Sequence, residues 1–320
     1  MKEFQIGKNE ADQRLDKYLK KLLPNAGTSF LYKMLRKKNI VWNGKKADGS
    51  EKIQMGDIIQ IYFTDETFEK FSGIPQSGAA NATKNSTANV PPDKLNIIFE
   101  DEDIVIINKP SGMLSQKAVP EDISANEYLI SYLLHTGAVS ESELNTFKPS
   151  VCNRLDRNTS GLLIAGKSLK GLQQMSAMLK DRTIKKYYRC IVAGKVTQSA
   201  HIQGYLKKDE RTNQVSIQKH ASVDAKYIET EYQPLQSDGE NTLLEVHLIT
   251  GRSHQIRAHL ASIGHPIIGD TKYGNRDTNE KWRKCCHIKS QLLHAYRMEL
   301  PDGRVFIAPT GAEFEQILQD

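Results

Sequence analysis

The segment Asn153-Arg154-Leu155-Asp156-Arg157-Asn158-Thr159-Ser160-Gly161 sets a single carboxylate between two guanidinium groups. A carboxylate flanked in this way has its pKa pulled down and stays ionised, which suits a nucleophile or a base. An ion-paired surface turn would look the same. A second segment, Ile184-Lys185-Lys186-Tyr187-Tyr188-Arg189-Cys190-Ile191-Val192-Ala193-Gly194, interleaves tyrosines with cations. On a strand, such a set can stack a nucleobase and steer a phosphate. Its bland counterpart is an exposed strand whose alternate residues face a core. The third segment is Thr250-Gly251-Arg252-Ser253-His254-Gln255-Ile256-Arg257-Ala258-His259. It runs on through Gly264-His265-Pro266-Ile267-Ile268-Gly269-Asp270 to Tyr273-Gly274. A strand, a glycine turn and a helix starting at Arg252 and Ser253 would put cations and free backbone N–H groups where an anion could sit.

The same residues argue against a metal. His254 and His259 stand five apart and diverge on a helix, whereas metal-binding pairs favour i, i+4. Cys285-Cys286-His287 offers no ligand spacing either. With Cys152 and Cys190 these are the only cysteines, and none falls in a CxxC pair. The expectation is no metal site, no disulfide framework and a reduced, cytoplasmic compartment.

These segments need a scaffold, and hydrophobic periodicity supplies one. Leu95–Phe99, Ile104–Asn108, Ser150–Asn153, Leu162–Ala165, Lys186–Ala193 and Leu243–Ile249 read as strands. Helices are expected over Ser168–Leu179, with Ser168 as N-cap, and from about Arg252 to Ile263, stopped by Gly264 and Pro266. Many strands with few intervening helices predict an α+β domain with a mixed or largely antiparallel sheet. Upstream, Leu15, Leu19 and Leu22 recur at helical spacing. A second helix, Ser29–Lys38, sets Leu31, Met34 and Leu35 against Lys33, Arg36 and Lys37. The Asn43-Gly44 pair after Ile40-Val41-Trp42 signals a hairpin, and Asp57–Tyr62 a further strand. Between the two regions, SGIPQSGAANATKNSTANVPP has hardly a large apolar residue and reads as a linker. The predicted organisation is a small α+β module over 1–66, a flexible linker over 67–94 and a large domain over 95–320.

The chain has 320 residues, 38 % of them hydrophobic and 26 % charged, enough to bury a core and to exclude global disorder. No stretch approaches the roughly 18 consecutive apolar residues of a membrane span, and the N-terminus lacks signal-peptide character. Net charge is +6, and residues 1–65 hold 13 Lys/Arg against 8 Asp/Glu, so most of the excess sits in the small module. Such asymmetry points to a polyanionic partner.

Taken together, the three segments resemble the signatures of the RluA family of pseudouridine synthases, in order and at normal separations. Asn108-Lys109-Pro110-Ser111-Gly112-Met113 resembles that family's opening motif, and the likeness covers residues 95–310. Arg14-Leu15-Asp16-Lys17-Tyr18-Leu19 and Asn43-Gly44-Lys45 resemble the RNA-binding module shared with small-subunit ribosomal protein S-four. The resemblance implies that a uridine is flipped out of RNA, its glycosidic bond is cleaved, and the base rotates and is rejoined through carbon. Asp156 matches the catalytic aspartate, which attacks the anomeric carbon or removes the neighbouring ribose proton. Arg257 matches its basic partner. Tyr188 matches the tyrosine that stacks on uracil and helps remove the proton from carbon five. Arg154 matches the arginine that fills the space the base leaves. The family usually has His where this chain has Asn153, and often an acidic residue where it has Asn158. No cofactor is implied. The expected partner is ribosomal RNA, with the 23S molecule favoured, and the expected state is a monomer. RNA contacts are expected from Arg154, Arg157, Lys186 and Arg252, and from Lys33, Arg36, Lys37 and Lys45 of the module. The alternatives are the same chemistry on transfer or other RNA, and a non-catalytic RNA-binding assembly factor.

Overall fold

The computed structural model describes residues 1–72, 90–141 and 143–317. Contacts divide the chain into two units. The first comprises 1–94, 126–150 and 166–173, and the second 95–125, 151–165 and 174–320.

In the first unit, β1 (Lys2–Gln5) is followed by α1 (Leu15–Leu22), α2 (Thr28–Arg36), β2 (Ile40–Trp42), β3 (Lys45–Lys46), β4 (Ile58–Ile61) and α3 (Asp65–Ser72). The strands form an antiparallel sheet in the order β1-β4-β2-β3. Asn43 and Gly44, at φ 48° and 70°, close the expected hairpin with both central residues left-handed. Leu15, Leu19, Leu31, Leu35, Ile40, Ile59 and Ile61 build the core. Here the linker boundary needs correction. Residues 67–72 continue α3, because Phe68 is buried and stacks on Phe4, and Phe71 packs on Phe30. The remainder of the expected linker, 73–89, lies outside the described residues. The expected single domain over 95–320 also gives up residues to this unit. Thr146 donates to Glu10 Oε1 at 2.6 Å, and Leu169 N donates to Asn9 Oδ1 at 3.2 Å. Polar anchors of this kind, far apart in sequence, leave no periodic trace.

The rest of the chain contributes β5 (Ile97–Glu100), β6 (Ile104–Lys109), α4 (Ala125–His135), β7 (Ser150–Val151), β8 (Ser160–Gly166), α5 (Leu169–Lys180) and β9 (Lys185–Ala193). Then come β10 (Ala200–Asp209), β11 (Gln214–Gln218), β12 (Lys226–Ser237), β13 (Asn241–Leu248), α6 (Gln255–Ser262), α7 (Arg276–Cys286), β14 (Leu293–Glu299), β15 (Val305–Ile307) and α8 (Glu313–Gln316). Among the described residues the strands from β5 onward form one sheet, ordered β11-β10-β12-β13-β9-β14-β8-β6-β5, with β15 on β14 and β7 on β8. The β14–β8 pair is parallel and the other registered pairs are antiparallel, so the sheet is mixed. The fold is therefore α+β. Ser168 caps α5 through Gly171 N at 3.0 Å, as its type predicted. The helix expected from Arg252 starts three residues later, at Gln255, because His254 takes a left-handed φ of 56°. No helix among the described residues is long and apolar enough to cross a membrane.

Candidate active site

Asp156 lies in the loop between β7 and β8, and the opening motif holds that loop in place. Ser115 Oγ accepts from Leu155 N at 3.0 Å and donates to Leu155 O at 2.9 Å. Ser111 Oγ donates to Asn158 O, and Gly112 N donates to Arg157 O. Lys109, fully buried, spends its three protons on Pro110 O, Met113 O and Arg157 O at 2.7–3.0 Å. Burial lowers its pKa to about 7, against the opposing charge of Asp156. Asn153 turns its amide inward. Its Oδ1 accepts from Ile164 N at 2.8 Å, so the residue that departs from the family pattern stitches the loop to β8. At the loop's far end, Gly161 has φ 107°, and a Cβ there would lie 2.3 Å from Ala295 O on β14.

The cation on Asp156 is not one of its sequence neighbours. Arg154 is exposed, with no hydrogen bond or ion pair among the described residues, and Arg157 Nε donates to Gly112 O. Arg257, more than a hundred residues away on α6, donates from Nη1 to Asp156 Oδ2 at 2.8 Å. The same guanidinium makes a bidentate pair with Asp270, Nε to Oδ2 at 2.7 Å and Nη2 to Oδ1 at 2.9 Å. Arg257 is therefore shared between two carboxylates, and the second of them, Asp270, had no role in the sequence reading. Asp270 is wholly buried, whereas the Asp156 side chain is 27 % exposed. Burial alone would push the Asp270 carboxyl up. The Arg257 contacts and the N–H groups of Lys272 and Tyr273 hold it below the usual carboxylate range. Burial likewise opposes charge on Arg257, but the two carboxylates raise its pKa well above the ordinary value.

Strand β9 decides between the two tyrosines. Tyr187 turns to the face where it stacks on His247 and lies under Arg297. Tyr188, on the opposite face, is buried, and burial followed by the charge of Asp156 pushes its phenol up. It remains protonated across the neutral range. Lys186 shares that face and reaches the Gly251 turn, where a Cβ would meet its Nζ at 3.3 Å. Arg252 is exposed on the same turn, but its backbone N–H is taken by Gln255 Oε1 at 3.1 Å, so the free donor expected there is absent. Gln255 is itself fully used. It accepts from Thr250 Oγ1 and donates to Glu229 O and Thr230 Oγ1, locking the turn to β12. His254 and His259 serve different partners. His254 contacts Tyr273 and Asp156, and His259 bonds Thr230 in the core, where burial lowers its pKa to about 4. In the first unit, Lys33, Arg36, Lys37 and Lys45 are all exposed, without ion pairs among the described residues.

Lys109, His254, Asp270 and Tyr273 stood inside the quoted strings without an assigned role. A lysine after an apolar strand was the one available signal for Lys109. Nothing local marks Asp270 as the buried partner of Arg257.

A profile of the family described as RNA pseudouridylate synthase matches residues 103–262. A ribosomal large subunit pseudouridine synthase C of Rickettsia bellii is 33 % identical over 269 residues, covering 82 % of this chain and 83 % of that protein. A ribosomal large subunit pseudouridine synthase C of Vibrio cholerae is 29 % identical over 98 % of this chain and 94 % of its own length. The human RNA pseudouridylate synthase domain containing 4 structure superposes with a TM-score of 0.57 at 21 % identity, over 69 % of this chain and 90 % of that one, a likeness of fold.

Proposed function

The chain belongs to the RNA pseudouridylate synthase family, and from that premise we propose that it isomerises uridine to pseudouridine in large-subunit ribosomal RNA, with Asp156 as the reacting carboxylate. The observation that carries this reading is the way Asp156 is held. Arg257 binds only Oδ2, and Oδ1 has no partner among the described residues. One oxygen is anchored and the other is left open to a substrate. In the reaction the bond from N1 to the anomeric carbon breaks, the base rotates, and the bond from carbon five forms. Carbon five loses a proton and N1 gains one. Asp156 starts this by attacking the anomeric carbon or by taking the neighbouring ribose proton. Tyr188 supplies an aromatic face for the flipped base. Because burial keeps its phenol neutral, stacking suits it better than service as a free phenolate base.

Arg154, exposed and unpaired among the described residues, suits insertion into the space the flipped base leaves. Arg157, Lys186 and Arg252 would meet the backbone around that base. Lys33, Arg36, Lys37 and Lys45 would grip phosphates from the N-terminal module, which we take as a ribosomal-protein-S-four-type RNA-binding domain. The names of the relatives, ribosomal large subunit pseudouridine synthases, support large-subunit ribosomal RNA as substrate, and we take the 23S molecule as the target. A cytoplasmic monomer that needs no cofactor completes the proposal. Single-turnover release of tritium from carbon-five-labelled uridine in a ribosomal RNA fragment tests it. Pseudouridines mapped by carbodiimide-based primer extension should disappear in a deletion strain. Binding without tritium release would instead mark an assembly factor.

A further inference from the structure

Tyr273 sits where three elements meet. Its phenol oxygen accepts from Val215 N on β11 at 2.9 Å and lies 2.9 Å from His254 Nδ1. No other acceptor for the phenol proton lies among the described residues, so that proton goes to Nδ1. Burial lowers the pKa of His254, and the neutral ring then carries its single proton on Nε2. Nε2 is the atom that faces Asp156 Oδ2, at 3.8 Å. The opposite tautomer would set a lone pair against a carboxylate and leave the proton of a half-buried phenol without a protein acceptor among the described residues. The backbone agrees. His254 heads α6 in a left-handed conformation that side chains with a Cβ rarely adopt, and its side chain does not cap the helix.

The same segment also reaches outward. Lys272 Nζ donates to Asn213 O at 3.0 Å, in the turn between β10 and β11. Both Lys272 N and Tyr273 N donate to Asp270 Oδ1, the carboxylate that holds Arg257. Residues 270–273 thus touch the hairpin turn on one side and, on the other, both Arg257, which donates to Asp156, and His254, which lies beside it.

We propose that Tyr273 is a positioning residue that fixes His254 as the Nε2–H tautomer, so that two N–H groups face one oxygen of Asp156 and the other oxygen stays free for the uridine. The proposal rests on the reading of Asp156 as the reacting carboxylate. It also makes the β10–β11 hairpin a mechanical neighbour of the reaction, because Val215 anchors the phenol.

The test uses full-length protein labelled with ring-nitrogen-15 histidine, with the His254 signals assigned by their disappearance in His254→Gln. In the wild type, Nε2 should be pyrrole-like and Nδ1 pyridine-like. Tyr273→Phe should move both signals towards a mixture of tautomers. It should lower the single-turnover rate about tenfold, the scale of one missing hydrogen bond between neutral groups, with RNA affinity nearly unchanged. In a His254→Gln background, where no tautomer remains to be set, Tyr273→Phe should cost little more. A pyrrole-like Nδ1 in the wild type overturns the proposal. So does a Tyr273→Phe protein with unchanged nitrogen signals, or a full further loss in the His254→Gln background. If Tyr273→Phe does not fold, the wild-type spectrum alone decides the tautomer. A wild type that makes no pseudouridine refutes the proposed reaction, and the spectrum still decides the tautomer.

Discussion

Two carboxylates share Arg257, and replacing each by its amide should give opposite results. Asp270 is fully buried and receives two guanidinium and two backbone donors. Asp270→Asn keeps the volume but leaves a buried cation with half its counter-charge. Breaking a buried pair from one side costs about 3–5 kcal/mol, which lowers Tm by roughly 6–20 °C for a domain of this size class. Asp156 is 27 % exposed and receives one strong donor, so Asp156→Asn should change stability by no more than about 1 kcal/mol. Its turnover should nonetheless vanish. Acidity adds a second readout. The folded-state pKa of Asp270 lies below its ordinary 3.8, so the folded protein binds fewer protons than the unfolded chain in that range. The stability this contributes is present above 3.8 and is lost as pH falls through the folded value. Asp270→Asn should remove that part of the acid-unfolding slope, and Asp156→Asn should retain it. Thermal melts from neutral to acid pH, with tritium release on the same samples, decide the matter. An Asp156→Asn protein that is the less stable of the two, or that still turns over, refutes the division of labour.

Lys109 has a folded-state pKa of about 7 against an ordinary 10.5. Between those values the unfolded chain binds a proton that the fold lacks, so stability should rise with pH; Lys109→Met should abolish that rise in denaturant melts and slow turnover by loosening the Asp156 loop. Changing Lys33, Arg36, Lys37 and Lys45 together to Gln should flatten the slope of log affinity against log salt by about 0.7–0.9 for each phosphate that is no longer neutralised. An unchanged slope would show that these side chains do not grip the backbone. This substitution is cleaner than deleting the module, whose core extends into α3 and whose Glu10 and Asn9 anchor later segments. Gly161→Ala should lower the unfolding free energy by at least about 1–3 kcal/mol, read as a lower urea midpoint, because φ 107° and the carbonyl of Ala295 both exclude a Cβ; an unshifted midpoint would mean that β8 and β14 separate easily.

Features generated by neighbours in sequence were legible. The Asn43-Gly44 hairpin, the Ser168 cap and the alternation that separates Tyr187 from Tyr188 all follow from local rules. Helix α3 was hidden because Phe68 and Phe71 stand among polar residues and lead into a polar stretch. The strands β10 to β12 were missed because each buries only a few of its residues, and their alternation is faint. The partner of Asp156 was legible only through resemblance. Its flanking arginines looked sufficient, yet one is exposed and the other binds a carbonyl. Ion pairing in a folded chain is set by which elements cross, and spacing along the sequence does not encode a crossing between the β7–β8 loop and α6.

The shared arginine also bears on how reactive Asp156 can be. A guanidinium devoted to a single carboxylate in a bidentate pair would occupy both of its oxygens and oppose attack by either. Here the bidentate geometry is spent on Asp270, which is wholly buried, and Asp156 receives one hydrogen bond on Oδ2. Two carboxylates and one guanidinium leave the cluster with a net negative charge. Asp156 is thus oriented through one oxygen only. Asp270 in turn holds Arg257 and, through Lys272 and Tyr273, the segment that reaches His254. A carboxylate with one anchored oxygen and one open oxygen suits both attack on an anomeric carbon and removal of a ribose proton. Under the proposed reaction, the choice between them would rest with where the sugar lies relative to Oδ1, on a loop gripped by Lys109, Ser111 and Ser115.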